Sequence, residues 1–299
     1  MRVKWPSTTG ATVLFVASIF FGSSAIFIRF ATDASAISLT FFRLLIAAVG
    51  MVSFAFYEHD LASLGRRDLF LVVISGGALS LHFATFILAV KVTTVANATF
   101  LVNTTPIMLA VMSPVLIRER TTSREWFAVL VAMSGVLLVA NAGNGFRTFG
   151  FGDLSALASA FFVTVYSLIG RYMRKSGVDT PSYTAYVYGT ATVISLTLVG
   201  TAPAQTFKTY DTQNLWAILG LGIVPTMLGH SLYNYALGSV KAVTANLFPL
   251  LEPIIASLFA IVLFGEIPTV IQSAGYGLIL MGVVIVAMPP SGSPWHGVN

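Results

Sequence analysis

The sequence predicts an all-α polytopic membrane protein, with ten transmembrane helices arranged as two inverted five-helix repeats and both termini in the cytoplasm. Three observations support this prediction: the scarcity of charged residues, a series of long apolar stretches, and an internal repeat. Of the 299 residues, 56% are hydrophobic and 9% are charged, and the mean hydropathy is +0.86. A water-soluble domain carries roughly 25% charged residues. Most of the exterior is therefore expected to face lipid.

Ten apolar stretches are long enough to cross a bilayer as helices. A spanning helix needs about 20 mostly apolar residues to cross roughly 30 Å of hydrocarbon. Continuous apolar runs, without alternation at every second residue, favour helices over the strands of a barrel. The predicted spans of the first half are Ala11–Ile28, Ala36–Tyr57, Leu69–Val90, Val92–Ile117 and Trp126–Ala142. Those of the second half are Leu154–Gly170, Tyr183–Gly200, Asn214–Leu237, Ala242–Gly265 and Ile267–Met288.

The distribution of Lys and Arg predicts the orientation, because cytoplasmic loops carry more of these residues than external loops. Termini and loops taken alternately from the N-terminus hold eleven Lys and Arg residues, and the remaining loops hold four. The N-terminus belongs to the larger set, and an even number of spans returns the C-terminus to the same side. The net charge of +5 is thus explained by orientation in the cytoplasmic (inner) membrane, and no nucleic-acid partner is expected.

An internal repeat emerges when the chain is aligned with itself at an offset of 147 residues. Eleven of the 46 aligned pairs between residues 95–140 and 242–287 are identical, without a gap. The identical pairs include Ala98/Ala245, Pro106/Pro253, Glu119/Glu266, Thr122/Thr269 and Gly135/Gly282. Shared apolarity alone would not align a mid-helix proline, a helix-end glutamate and a glycine. A weaker match, at an offset of 142, aligns Arg29 with Arg171.

The repeat divides the chain into two predicted domains, residues 1–147 and 148–299, with five spans each. Because five is odd, the second copy enters the membrane from the opposite side. Inverted repeats of this kind place a substrate site near the midplane, and transport proceeds by alternating access. A duplication retained only for folding is the alternative. A channel or a membrane-embedded enzyme is less favoured, because no set of acid, base and nucleophile is found at one depth.

Several motifs resemble those of the EamA family of the drug/metabolite transporter superfamily, over nearly the whole chain. The motifs are Phe21-Gly22-Ser23-Ser24, Ser38-Leu39-Thr40-Phe41-Phe42-Arg43, Leu251-Glu252-Pro253, Glu266 and the glycines Gly275, Gly277 and Gly282. One departure is Phe21, where the family often has tryptophan. The resemblance, nearest to the YddG-type amino-acid exporters, implies a ten-helix exporter or permease for small metabolites, with spans one to four and six to nine around a central cavity. Phosphorylated cargo is disfavoured, since clustered buried Lys and Arg are missing.

Polar and aromatic side chains within the spans are the candidate substrate contacts, because polar groups inside a bilayer are costly. The candidates are Ser23, Phe27, Arg43, His82, Phe86, Asn97, Asn103, Tyr166, Tyr186, His230, Tyr233, Asn246 and Glu252. Arg43 is a candidate contact for a substrate carboxylate, with snorkelling to the outer interface or the fixing of helix ends as the alternatives. Glu252 is a candidate partner for an ammonium group or a proton. The alternative is a structural role, in which its carboxylate binds backbone amides freed by Pro249 and Pro253.

Two prolines at matching positions of the repeat, Pro106 and Pro253, are the predicted gating hinges, with static kinks as the alternative. His82 and His230 either titrate near neutral pH or form hydrogen bonds between helices, and the amide side chains share this second interpretation. Tyr183, near the end of a span, is expected in the aromatic belt at the membrane interface.

The expected function is secondary transport, by export, of small uncharged or zwitterionic metabolites, with amino acids favoured, including aromatic or neutral ones. An exporter of drugs or toxic cations, with Glu252 binding the cation, is the alternative. The sequence has no P-loop, dinucleotide fingerprint, zinc motif or nucleophile elbow, so no enzyme activity, catalytic residue, cofactor or metal is expected. The expected partners are a small-molecule substrate and the lipid bilayer.

Overall fold

The computed structural model describes residues 7–58, 61–93, 95–142, 150–265 and 267–288, and all regular secondary structure in these ranges is helical. Ten helices, several of them in consecutive pieces, are numbered here in chain order. The first five are α1 (Ser7–Gly22 and Ser24–Phe30), α2 (Ala36–Glu58), α3 (Arg66–Val92), α4 (Val95–Val102 and Thr105–Leu116) and α5 (Ser123–Asn141). The others are α6 (Phe151–Lys175), α7 (Thr180–Val199), α8 (Thr212–Leu221, Gly222–His230 and Ser231–Ala236), α9 (Ala242–Leu247, Phe248–Leu251 and Glu252–Phe264) and α10 (Val270–Ala287). A short helix, Pro203–Thr206, precedes α8.

Nine of the ten helices, within the described ranges, are long and apolar enough to cross a membrane. The protein is therefore a polytopic helical membrane protein. The exception is α7, which corresponds to the seventh predicted span. Its polar side chains Thr184, Thr192 and Ser195 are buried, and each hydroxyl donates a hydrogen bond to a carbonyl of the preceding turn. With 20 residues, α7 is about 30 Å long, which matches the thickness of the hydrocarbon core.

Matching features occur at positions that the predicted repeat aligns. Thr122 begins α5 and Thr269 begins α10, and each forms a capping box with the residue three positions later. This arrangement satisfies two otherwise unpaired amides. Just before these caps, Arg118 and Gly265 both have positive φ angles, of 56° and 69°. Both loops thus make the same turn, as expected for two copies of one unit. Glu266 lies outside the described residues.

Prolines interrupt three of the helices. Pro106 and Pro253 lie in the first turns of the second piece of α4 and the last piece of α9, where the missing N–H has no intrahelical partner to lose. Pro249 lies in a 3₁₀ turn in the middle of α9. Pro225 lies in a π-helical stretch of α8. The predicted breaks in α4 and α9 are present, and their motion as hinges stays a prediction.

Small residues allow α5 and α10 to pack closely at the edge of the bundle. A Cβ atom added to Gly135 of α5 would lie 2.5 Å from the carbonyl oxygen of Gly275, and one added to Gly282 would lie 2.6 Å from Ala132. Such distances leave no room for a side chain. The expectation for Tyr183 was wrong: this residue is fully buried, and its hydroxyl lies 2.7 Å from that of Ser75, because α7 packs against α2 and α3.

Candidate substrate-binding cavity

A cavity of about 100 Å³ lies in the interior of the bundle, lined by seven helices from both halves of the chain. The first half contributes α1 to α4, and the second contributes α6, α8 and α9. Helices α5 and α10 contribute no wall residue, as the family resemblance implies. The same resemblance was wrong for α7, none of whose residues lines the cavity. Ten predicted residues lie on the cavity wall: Arg43, His82, Phe86, Asn103, Pro106, Tyr166, His230, Tyr233, Asn246 and Glu252.

Four predicted substrate contacts do not line the cavity. Each forms a hydrogen bond or a packing contact elsewhere in the bundle. The Ser23 hydroxyl donates to the carbonyl of Phe20 within α1, at 2.6 Å. The side-chain amide of Asn97 donates to the carboxylate of Asp153 at the start of α6. The other two are on opposite ends of the bundle: Phe27 packs where α1 meets Gly220 of α8, and Tyr186 donates to the carbonyl of Ala62, at 3.1 Å.

Arg43 is held against the cavity wall by two contacts, and only 3% of it is exposed. Its Nε donates a hydrogen bond to Oγ1 of Thr226, at 2.9 Å, and its Cζ lies 3.6 Å from the centre of the Phe83 ring, a cation–π geometry. In the part of the chain that the structure describes, its terminal nitrogens have no hydrogen-bond acceptor and no carboxylate within 4 Å. The snorkelling interpretation was wrong, since the guanidinium points into the protein.

Glu252 lines the same cavity from the opposite half of the chain. It is the first residue of the last piece of α9, where the helix dipole favours a negative charge. Among the residues described, no group forms a hydrogen bond or an ion pair with its carboxylate. The predicted structural alternative, with backbone amides bound to this carboxylate, is therefore not observed. One small cavity thus contains a cation and an anion that do not touch each other.

A second wall of the cavity is made of hydrogen-bonded tyrosines and amides. The hydroxyl of Tyr233 donates to Ser167 of α6, at 2.9 Å, and accepts from the side-chain amide of Asn246. The side-chain amide of Asn234 donates to the hydroxyl of Tyr166. These contacts tie α6, α8 and α9 together, so that Tyr166, Tyr233 and Asn246 serve both as interhelical contacts and as cavity wall.

The two histidines differ in their surroundings. Nδ1 of His82 lies 2.8 Å from Oγ of Ser159 and 3.1 Å from its carbonyl oxygen, which ties α3 to α6 as the interhelical interpretation expected. The ring of His230 lies among three aromatic rings, with centroids 4.8 Å from Phe21, 5.2 Å from Phe83 and 5.8 Å from Tyr166. This aromatic cluster forms the apolar part of the wall.

Sequence reasoning missed the remaining wall residues: Phe21, Ser24, Phe83, Thr99, Val102, Thr105, Val163, Pro249 and Leu250. Most are apolar residues inside apolar helices, and the sequence offers no sign of which face meets the cavity. Two of them had a usable signal, since Phe21 and Ser24 belong to the motif at positions 21 to 24.

Ion pairs join the two halves at the helix ends that the Lys and Arg distribution assigns to the cytoplasm. Glu119, between α4 and α5, accepts hydrogen bonds from Nε and Nη2 of Arg171, at 3.0 and 2.8 Å, and from Lys175, at 3.1 Å. Nη1 of Arg171 donates to the carbonyl of Leu237 at the end of α8. Glu119, Arg171 and Lys175 are called the ion-pair cluster below.

A second contact lies beside this cluster, where α9 begins. Nζ of Lys241 lies 3.1 Å from a carboxylate oxygen of Glu125 in the first turn of α5, and the hydroxyl of Thr244 donates to the other oxygen, at 3.0 Å. Nearby, the second piece of α4 packs against the first piece of α9. Packed helices and ion pairs thus join the two halves on this side.

The carboxylate of Glu119 in this cluster is ionised at physiological pH. Burial alone would raise the pKa of Glu119, but the hydrogen bonds and positive charges of Arg171 and Lys175 outweigh burial, and the pKa lies below its ordinary value. A carboxylate with a lowered pKa contributes stability above its ordinary pKa and loses it as pH falls through the lowered value. The Glu119 carboxylate therefore keeps its contacts with Arg171 and Lys175 at neutral pH and loses them as it is protonated in acid.

Sequence comparison agrees with this architecture. The family model described as the EamA-like transporter family matches the chain twice, over residues 8–141 and 150–288. The chain belongs to the EamA-like transporter family. The chain is therefore an integral, multi-pass membrane transporter with a small-molecule substrate.

Relatives of this EamA-like chain carry transporter names. It is 24% identical over 279 residues to an uncharacterized transporter of Archaeoglobus fulgidus, covering 91% of this chain and 95% of the relative. It is 25% identical to the uncharacterized transporter YwfM of Bacillus subtilis, with 92% of each chain covered. A solved structure with 18% sequence identity aligns with a TM-score of 0.77 over 93% of this chain and 96% of that one, so the two share a fold.

Proposed function

We propose that this transporter exports small zwitterionic metabolites, most favourably amino acids, across the cytoplasmic membrane. The observation that carries the proposal is the presence of Arg43 and Glu252 on the wall of one cavity, with no ion pair within 4 Å for either charge among the described residues. An amino acid brings a carboxylate for the guanidinium and an ammonium group for the carboxylate. The resemblance to the YddG-type amino-acid exporters is consistent with this cargo.

Physical chemistry favours a dipolar ligand at this site. An isolated charge in a low-dielectric interior is costly, whereas a paired and hydrogen-bonded one is tolerated. A zwitterion pairs both charges at once, while a simple cation would leave Arg43 unpaired and near a second positive charge. Size points the same way, because a cavity of about 150 Å³ holds a benzene molecule. The observed cavity is of that order, and a drug-sized molecule would need it to expand.

Alternating access between two inverted halves is the transport mechanism that we propose. In this proposal the ten helices all cross the membrane, the two halves are inverted repeats, and both termini lie in the cytoplasm. The matching caps at Thr122 and Thr269 support the repeat. The ion-paired side is then the cytoplasmic side, and the proposed route to the outside passes Thr99, a wall residue near the start of α4. In this proposal the resting state is outward-facing.

The main alternative is an exporter of drugs or toxic cations, in which Glu252 alone binds the cargo. Arg43 argues against it, because a positive charge on the wall repels a cation. The two candidates differ in what they predict for uptake into proteoliposomes of an amino acid and of its matching primary amine, which lacks the carboxylate.

Glu252→Gln is expected to lower amino-acid uptake at least tenfold, because one charge-assisted hydrogen bond contributes about 1.5–3 kcal/mol and 1.4 kcal/mol is a tenfold change. Wild-type protein is expected to transport the amino acid in preference to the amine. Asp68→Asn is the matched control, since Asp68 lies in the first turn of α3, outside the cavity, and it is expected to behave as wild type. Efficient uptake of the amine by wild type, lost selectively in Glu252→Gln, would instead identify a cation exporter.

A further inference from the structure

We infer that Thr226 is a positioning residue for Arg43, and that it sets the preference of the transporter for substrates with a carboxylate. The inference rests on the proposed function, since it concerns the same cavity. Thr226 is fully buried and does not itself line the cavity. It acts on a substrate only through Arg43, whose Nε donates to its hydroxyl, at 2.9 Å.

The hydroxyl of Thr226 has a defined direction. A threonine hydroxyl has one proton to donate and two lone pairs that accept. Oγ1 of Thr226 donates this proton to the carbonyl of Leu221, at 2.7 Å. Only its lone pairs are then left for Arg43, so the hydroxyl is committed as an acceptor for Nε–H. This commitment fixes the guanidinium before any substrate arrives.

The winding of α8 explains why the hydroxyl reaches that carbonyl. In an α-helix, a buried threonine bonds the carbonyl three or four residues earlier, as Thr184 does with Thr180. Leu221 is five residues before Thr226, and the stretch Gly222–His230 is π-helical. Pro225 lies immediately before Thr226 and has no N–H for the helical ladder. Single π-helical turns occur frequently at functional sites.

Close packing holds this stretch against the helix that carries Arg43. A Cβ atom on Gly222 would lie 2.7 Å from Cβ of Ile46, one turn after Arg43 on α2. The Phe83 ring packs against the guanidinium, with its centre 3.6 Å from Cζ. Thr226 and Phe83 therefore both fix the planar group, and its two terminal nitrogens remain for a bidentate contact with a carboxylate.

The test is binding of an amino acid and of its matching primary amine to purified protein in nanodiscs. Thr226→Val keeps the shape of the side chain and removes the acceptor. It is expected to weaken amino-acid binding about tenfold and to leave amine binding unchanged, because the amine has no carboxylate for Arg43. Thr226→Ser keeps the hydroxyl and is expected to restore amino-acid binding to within about twofold of wild type.

A double-mutant cycle with Arg43→Lys provides a second measurement. Lysine has no Nε–H at this position. In the Arg43→Lys background, Thr226→Val is therefore expected to cause no further loss of the preference for the amino acid over its matching amine. Equal weakening of both ligands by Thr226→Val, or an unchanged affinity for the amino acid, would overturn the inference and leave the proposed function standing. Failure of the wild-type protein to bind any amino acid would overturn both.

Discussion

Arg43→Gln is expected to lower amino-acid transport at least a hundredfold. The substitution removes a guanidinium whose two terminal nitrogens face the cavity, and with it two charge-assisted hydrogen bonds of about 1.5–3 kcal/mol each. It also leaves the substrate carboxylate desolvated without a partner and leaves Glu252 as the single charge on the wall. The measurement is the initial rate of uptake of a labelled neutral amino acid into proteoliposomes at equal protein content.

Two further variants make the Arg43 result specific. Arg43→Lys keeps the charge and loses the planar fork, so an intermediate rate is expected. Arg66→Gln removes an exposed arginine at the start of α3 that does not line the cavity, and the wild-type rate is expected. Uptake by a folded Arg43→Gln protein within about threefold of wild type would contradict the assignment of Arg43 to substrate binding.

Glu119→Gln is expected to shift the resting population toward the state in which the cavity opens to the cytoplasm. Glu119 and Arg171 join the two halves, and their side chains are only 8% and 9% exposed. Removing one partner of a buried ion pair costs about 3 kcal/mol or more, because the remaining charge is left uncompensated. Since this cost falls only on the state with the cytoplasmic side closed, the ratio of the two states is expected to change by roughly two orders of magnitude.

A single introduced thiol reports this shift. The sequence contains no cysteine, so Thr99→Cys places one reactive group on the cavity wall. With a membrane-impermeant thiol reagent, we expect labelling from the outside in the otherwise unchanged protein. In Glu119→Gln, labelling from the outside slows and labelling from the cytoplasmic side rises. Asp68→Asn, the matched acidic control, should leave both rates unchanged. Equal labelling rates in the Thr99→Cys protein with and without Glu119→Gln would contradict a gating role for the ion-pair cluster.

The sequence could predict the charged residues of the cavity but not its apolar wall. Arg43 and Glu252 stand out because a charged residue inside an apolar span is energetically costly and therefore indicates a functional role. Phe83 and Val163 line the cavity while Phe27 packs between helices, although all three lie in equally apolar surroundings. In a membrane helix, both the lipid-facing and the cavity-facing side are apolar, so composition does not separate them.

Contacts between distant parts of the chain could not be predicted from the sequence either. The repeat aligned Glu119 with Glu266 and Arg171 with Arg29, but nothing in it joined Glu119 to Arg171 across 52 positions. The role of Thr226 depends on the π-helical winding of α8, for which Pro225 is the one local signal. Such contacts arise from how the helices pack, and packing is set by the whole bundle.

Counterflow tests most directly whether this protein carries zwitterions by alternating access. Proteoliposomes that contain only the purified protein are loaded with an unlabelled neutral amino acid, and a trace of the labelled form is added outside. We expect the label to accumulate transiently above its equilibrium level, with saturation at high substrate concentration and no accumulation when the matching amine is loaded instead. Uptake no faster than in protein-free vesicles for every amino acid tried, or flux without trans-stimulation or saturation, would contradict this mechanism.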